Sequence, residues 1–412
     1  EKMHRQALVF AAALCVSSLA CDGPIGPHGE EWDPFHCGYG GLPAEDGHWT
    51  GANGNLTLLP LETEAACLDG SPYGFYFTPS PSGRSTKWTI SIEGGGWCYN
   101  ETLCYERSHT DLGSSKNWAP SAGCRCMNVE GDDLDDDCNC LYMPYGDGAS
   151  FSGYRRDPWP VPSAPGNYLH FRGIKNLDAT VEYALKNLGL DKATDFVLTG
   201  GSAGGLSTFL HMDRVSAMVK AHSPNCVTRG APVVGYFLDH DNYAHDSNNY
   251  TAWMHYIYGM QNLTAASGAL NANCLAAFPD DPHYCFMSPH MQSFIRTPFF
   301  VFNSKYDAWQ LANELQTKWT TKAEQDAVLQ YGQDFLKQFA PIQTEHQNGA
   351  MITSCICHGC PWDTLVLQNK TSYQHYAAWH EGKTIGAAAV HIDPRGPNGD
   401  GAITDKSCQP FP

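Results

Sequence analysis

Asp195-Phe-Val-Leu-Thr-Gly-Gly-Ser-Ala-Gly204 is the stretch on which the reading of this chain turns. Phe196 to Leu198 is a short apolar run of strand length, and Gly200-Gly201 breaks it. From Ala203 onward, Leu206, Phe209, Leu210, Met212 and Val215 recur at helical spacing. A serine at a strand–turn–helix junction, flanked as Gly200-x-Ser202-x-Gly204, is lifted above the sheet by a sharp turn that only small neighbours permit. The helix that begins behind it brings free N–H groups and the positive end of its dipole. In a chain with 40 glycines the bare motif also arises by chance, so its setting between a strand and a helix is what gives it meaning.

Outward from this point the same alternation continues. Lys87-Trp-Thr-Ile-Ser-Ile92 alternates as a strand and stops at Gly94-Gly95-Gly96. Leu177, Val181, Ala184, Leu185 and Leu188 form a helical stripe, and Thr297-Pro-Phe-Phe-Val-Phe302 is a further buried-strand pattern. Strands alternating with helices predict an α/β fold, a mostly parallel sheet with helices on both faces in the α/β-hydrolase manner. Two segments fall outside that rhythm. Residues 98–165 are rich in Cys, Gly, Pro and Asp and read as a disulfide-tied loop insertion. Residues 236–296, rich in Asn, His, Tyr and Met, read as a second insertion able to line a cleft.

Composition narrows the class. The 412 residues carry 42% hydrophobic and 17% charged side chains, the balance of a globular protein, with a formal net charge of −18. So negative a surface argues against nucleic acid and anionic lipid as partners. Residues 1–20 read as an export signal: Met3-His4-Arg5 is basic, Ala7 to Leu14 is apolar and too short to span a membrane, and Ser18-Leu19-Ala20 suits cleavage. Residues 21–412 then form one catalytic domain. Of 17 cysteines, all but Cys15 remain after cleavage, an even number suited to an oxidising compartment. Several cluster (Cys98 and Cys104; Cys124, Cys126, Cys138 and Cys140; Cys355, Cys357 and Cys360), and disulfides rather than zinc are expected, with pairing left open by the spacing. Asn-x-Ser/Thr triplets at Asn55, Asn100, Asn249, Asn262 and Asn369 suit a secreted glycoprotein. The acidic run Asp132–Asp137 lacks the alternation and glycine of a calcium loop and reads as a solvated surface, so no metal or cofactor is expected.

If Ser202 is a nucleophile, an acid and then a histidine must follow it in the chain. Asp307 lies just beyond the Thr297–Phe302 strand, whereas no clear strand leads to its rivals Asp239 and Asp241. The histidines after Asp307 are His346, His358, His375, His380 and His391; His358 stands out because Cys355, Cys357 and Cys360 surround it. The glycine run at 94–96 after an earlier strand lets backbone N–H groups approach a carbonyl, so the amides of Gly96, Trp97 and Ala203 are the expected oxyanion donors.

Taken together, Gly95-Gly-Trp97, Phe171-Arg-Gly173, Gly201-Ser-Ala-Gly-Gly205 with His211, Asn303-x-x-Tyr306-Asp307-x-Trp309-Gln310 and Cys357-His358 resemble the pectin acetylesterase family, which includes the animal Notum carboxylesterases. The resemblance runs from about residue 40 to 385 and is closer to the plant-type branch. It implies a Ser202–His358–Asp307 triad, oxyanion donors at Gly96, Trp97 and Ala203, and an acetylated wall polysaccharide as substrate. Gly201 departs from the cysteine that plant-type members tend to carry before the nucleophile, and the residues after His358 and the 98–140 region also diverge. Two further readings follow: a Notum-like deacylase acting on an acylated secreted protein, and an extracellular binding protein on an inactive hydrolase scaffold.

Overall fold

The computed structural model describes residues 53–344 and 347–400; the expected leader at 1–20, Cys15, Cys21, Cys37, His346 and Cys408 lie outside them. Ten strands make the main sheet: β1 (Gly54–Leu58), β2 (Gly74–Thr78), β3 (Lys87–Ile92), β4 (Ser121–Ala122), β5 (Asn139–Met143), β6 (Asp195–Gly201), β7 (Val227–Val233), β8 (Phe300–Ser304), β9 (Gly349–Thr353) and β10 (Val390–Ile392). Their spatial order is β10-β9-β8-β7-β6-β3-β5-β2-β1-β4. From β10 to β5 all neighbours run parallel, and β2, β1 and β4 extend the sheet antiparallel.

Seven helices matter for the site: α1 (Glu101–Arg107), α2 (Gly173–Asn187), α3 (Ala203–His222), α4 (Tyr250–Met260), α5 (Ala308–Asn313), α6 (Lys322–Thr344) and α7 (Ser372–His380). Successive strand residues point to opposite faces, and both faces are covered. On one, Trp88, Ile90, Ile92, Phe196, Leu198 and Val301 pack with Leu177 and Val181 of α2, Leu206 and Phe209 of α3, and Phe335 and Phe339 of α6. On the other, Val197, Ala231, Val233, Phe300, Phe302 and Met351 pack with Tyr373, Tyr376 and Trp379 of α7. This is the α/β architecture expected, helices on both faces included.

The first insertion differs from expectation. Residues 98–165 contribute β5, an interior strand paired with β3 through Ile90↔Leu141 and with β2 through Phe77↔Leu141. Its cysteine-flanked sequence hid a strand whose Leu141 and Met143 are fully buried. Around it the Cys124–Cys140 and Cys126–Cys138 bridges tie the loop, and Cys98–Cys104 closes the start of α1. Cys126, Cys138 and Cys140 lie close enough together for a metal, but each is committed to a disulfide. The acidic run is exposed at Asp132, Asp133 and Asp136, as expected, but Asp135 is buried and pairs with Lys87 at 2.5 Å. In the second insertion, the Cys274–Cys285 bridge lies beyond α4.

Candidate active site

β6 ends at Gly201 and α3 begins at Ala203, so Ser202 alone makes the turn, at φ 57° and ψ −125°. A non-glycine residue at positive φ is strained, and neighbouring structure must hold it there. Two hydrogen bonds do so: the Ser202 N–H donates to the Val233 carbonyl, and the Ser202 carbonyl accepts from the Leu206 N–H, each at 3.0 Å. A Cβ at Gly201 would meet nothing within 4 Å, so the departure from cysteine there relieves no clash.

Asp307 follows β8 and caps α5, its Oδ1 accepting from the Gln310 N–H at 3.0 Å. The loop after β9 carries His358 between Cys357 and Cys360, which are bridged to each other. The three side chains meet. His358 Nδ1 lies 2.7 Å from Asp307 Oδ2 and 2.9 Å from Oδ1, and His358 Nε2 lies 2.9 Å from Ser202 Oγ. A carboxylate only accepts, so Nδ1 carries the imidazole proton, and the bare Nε2 accepts from the Ser202 hydroxyl. Asp307 is 0% exposed, Ser202 5% and His358 6%, so the relay is shielded from bulk water.

The rival acids and bases are engaged elsewhere. Asp239 meets His290 at 2.8 Å and Asp241 meets His245 at 3.6 Å. His375 lies against the Leu367 carbonyl, His380 beside Asp195, and His391 against Gln368.

The glycine run after β3 lies directly against the turn. A Cβ on Gly94 would collide with the Gly201 carbonyl and stand 2.9 Å from Ser202 Cβ, so no larger residue fits. Among the described residues, no acceptor takes the amide hydrogens of Gly96, Trp97 or Ala203. Of these, the Ala203 amide adjoins Ser202 directly, and open backbone donors are the groups an acyl-transfer oxyanion uses. Beside them, Trp97, Phe237, Tyr250 and Trp309 form an aromatic cluster: Trp97 is 4.9 Å from Phe237, 5.6 Å from Tyr250 and 5.5 Å from Trp309 between ring centroids. Phe237 and Trp309 each stand 6.3 Å from the His358 ring.

The sequence pattern of the family described as Pectinacetylesterase matches residues 50–391. The chain belongs to the pectinacetylesterase family. Like its relatives in that family it is a carboxylic ester hydrolase. Pectin acetylesterase 5 of Arabidopsis thaliana is 29% identical over 353 residues, covering 79% of this chain and 79% of that protein. The palmitoleoyl-protein carboxylesterase NOTUM of Homo sapiens is 28% identical over 268 residues, covering 63% of this chain and 52% of its own length. The solved structure of the Wnt deacylase Notum from Drosophila matches with a TM-score of 0.69 at 22% identity, over 81% of this chain and 94% of that one; at this identity the likeness is one of fold.

Behind the family's glycine run lies a polar layer that the sequence reading missed. It is built by Arg107 at the end of α1 and by Asp147, Ser150 and Ser152 in the loop after β5. All four are buried. Asp147 sits there without bulk water, and burial pushes its carboxyl up to about 7. His211, buried in α3, is driven the other way, down to about 3, and stays neutral. A run of small polar residues, Asp147-Gly-Ala-Ser-Phe-Ser-Gly153, was the signal available, but nothing in its composition separates a buried scaffold from a surface loop.

Proposed function

We propose that this chain is a secreted serine esterase that removes O-acetyl groups from a pectin-like cell-wall polysaccharide, residues 1–20 serving as its leader and 21–412 as its catalytic domain. The observation that carries the chemistry is the unbroken Ser202–His358–Asp307 hydrogen-bond relay. His358 Nε2 takes the Ser202 proton as Oγ attacks the ester carbonyl. Asp307 holds the imidazole in the right tautomer and stabilises its positive form. The carbonyl oxygen, now anionic, is met by the Gly96, Trp97 and Ala203 amides. His358 returns the proton to the departing sugar oxygen, leaving an acetyl-serine. A water, deprotonated by His358, attacks that ester and releases acetate. The residues named complete the cycle without a cofactor.

One observation supports an acetylated polysaccharide as the substrate. The match to pectin acetylesterases 5 and 4 of Arabidopsis thaliana spans 79% and 82% of those proteins, against 37% to 52% of the NOTUM proteins.

The first test is labelling with a fluorophosphonate: the wild type reacts and Ser202→Ala does not. The second compares acetate release from acetylated pectin with hydrolysis of p-nitrophenyl esters from acetyl to palmitoyl. Acetyl is expected to be preferred. A preference for palmitoyl, with no acetate released from pectin, would replace this reading with a protein deacylase. No labelling at all would replace it with a binding protein on a hydrolase scaffold.

A further inference from the structure

The geometry points to Ser150 and Arg107 as positioning residues that hold the oxyanion donors in place, an inference that rests on the triad and oxyanion roles proposed above. Ser150 is fully buried, and its hydroxyl bridges two of the three donor residues. It accepts from the Trp97 indole N–H at 2.9 Å and donates to the Ala203 carbonyl at 2.8 Å. The single hydroxyl proton and a lone pair are thus both used, and the glycine loop is pinned to the first residue of α3 through one oxygen.

Ser150 is itself fixed by two further hydrogen bonds. Its N–H donates to the Tyr145 hydroxyl oxygen at 2.8 Å, and its carbonyl takes a hydrogen bond from His211 Nε2 at 3.0 Å. A carbonyl cannot donate, so the His211 proton is on Nε2; Ser152 Oγ stands 3.1 Å from the same nitrogen. Ser150 also sits at φ 49°, with Phe151 beside it at φ 59°. Two consecutive non-glycine residues in the left-handed region persist only where the surroundings over-determine them, and such strain gathers at functional sites.

Arg107 acts on the third donor. Its Nη2 donates to the Gly95 carbonyl at 2.7 Å. That carbonyl and the Gly96 N–H belong to one trans peptide unit and point in opposite directions. Holding the Gly95 oxygen on the guanidinium side therefore aims the Gly96 N–H away from it. The positive charge also lies along the peptide dipole, polarising the N–H that faces the reaction. Each acts through the groups it holds, Ser150 through the Trp97 indole and the Ala203 carbonyl, Arg107 through the Gly95 carbonyl.

Ser150→Gly is the decisive variant, because glycine accepts φ 49° without strain while the hydroxyl is lost with its small CH2 stem. Its kcat on p-nitrophenyl acetate should fall about 10- to 100-fold with KM unchanged, the size expected when reacting groups shift by about 1 Å. Binding of a boronic acid, whose tetrahedral adduct places an oxygen at the same donors, should weaken by the same factor. The acid limb of the kcat/KM profile should not move, since the His358–Asp307 contact is untouched. Arg107→Met should behave likewise. A folded Ser150→Gly enzyme with kcat within threefold of wild type, or with its loss confined to KM, overturns the inference. If that happens while Ser202→Ala is inactive, only the positioning role falls. If Ser202→Ala retains activity, the triad reading fails and this one with it.

Discussion

The Asp307 carboxylate does two things at once: it caps α5 through the Gln310 N–H and it receives the His358 Nδ1 proton. An amide there keeps an oxygen for one task but presents N–H donors for the other, which forces the imidazole into the tautomer that cannot accept from Ser202. Asp307→Asn should therefore lower kcat by about 10⁴ with little loss of fold; a drop below tenfold on p-nitrophenyl acetate would contradict the assignment. A second residue-scale expectation concerns Asp147. Its folded value, raised by burial from the ordinary 3.8 to about 7, means the native state keeps this proton while the unfolded chain sheds it. Stability from this group is full below about pH 4 and is lost as pH rises through 7. The melting temperature of Asp147→Asn, measured against wild type, should accordingly climb between pH 5 and 8, and a flat difference would sink the claim. At this scale legibility was uneven. Ser202 announces itself through its turn and Asp307 through the strand before it. His358 is one of 18 histidines; its local pattern sets it little apart, and the family resemblance is what singles it out. Ser150 and Arg107 gave no sign, because their importance lies in what surrounds them in space.

At the level of elements, α3 and the segment after β7 approach so closely that neither tolerates a side chain. A Cβ on Gly205 would stand 2.5 Å from the Val233 carbonyl and 2.8 Å from Gly235 Cα. These are backbone atoms of the end of β7, which also anchors the Ser202 N–H, and of the residues just after it, so they cannot swing aside. Gly205→Ala should cost about 1–3 kcal/mol by overpacking, read as a lowered midpoint in chemical denaturation. It should also disturb activity, because the elbow and its support move together. An unchanged midpoint would mean the crossing is looser than drawn. The elements themselves were readable where one periodicity ruled: Lys87–Ile92 is β3 residue for residue, and the strand expected at Thr297–Phe302 appears two to three residues later as Phe300–Ser304. Pro298 has no N–H to donate, so ahead of the strand only its carbonyl takes part, accepting from the Gly230 N–H at 2.9 Å. β5 escaped notice because its five residues sit among cysteines and acids whose chemistry dominates the local composition.

Across the whole molecule, the net charge of −18 opposes a polyanionic substrate. Screening weakens that opposition. Raising ionic strength from about 20 to 200 mM should raise kcat/KM on acetylated polygalacturonate and leave p-nitrophenyl acetate unaffected; salt inhibition on the polymer would point instead to a locally basic cleft. The order of the strands has a further consequence, one for synthesis. β3 lies mid-sheet, yet its partner β6 is encoded over 100 residues later, with Ile92 matched to Gly200. At about 5–20 residues per second, roughly 5–20 s separate their emergence from the ribosome. Through that interval Trp88, Ile90 and Ile92 have no sheet neighbour on the β6 side, so the nascent chain is a natural client for chaperones, and faster translation of residues 93–200 should improve its yield.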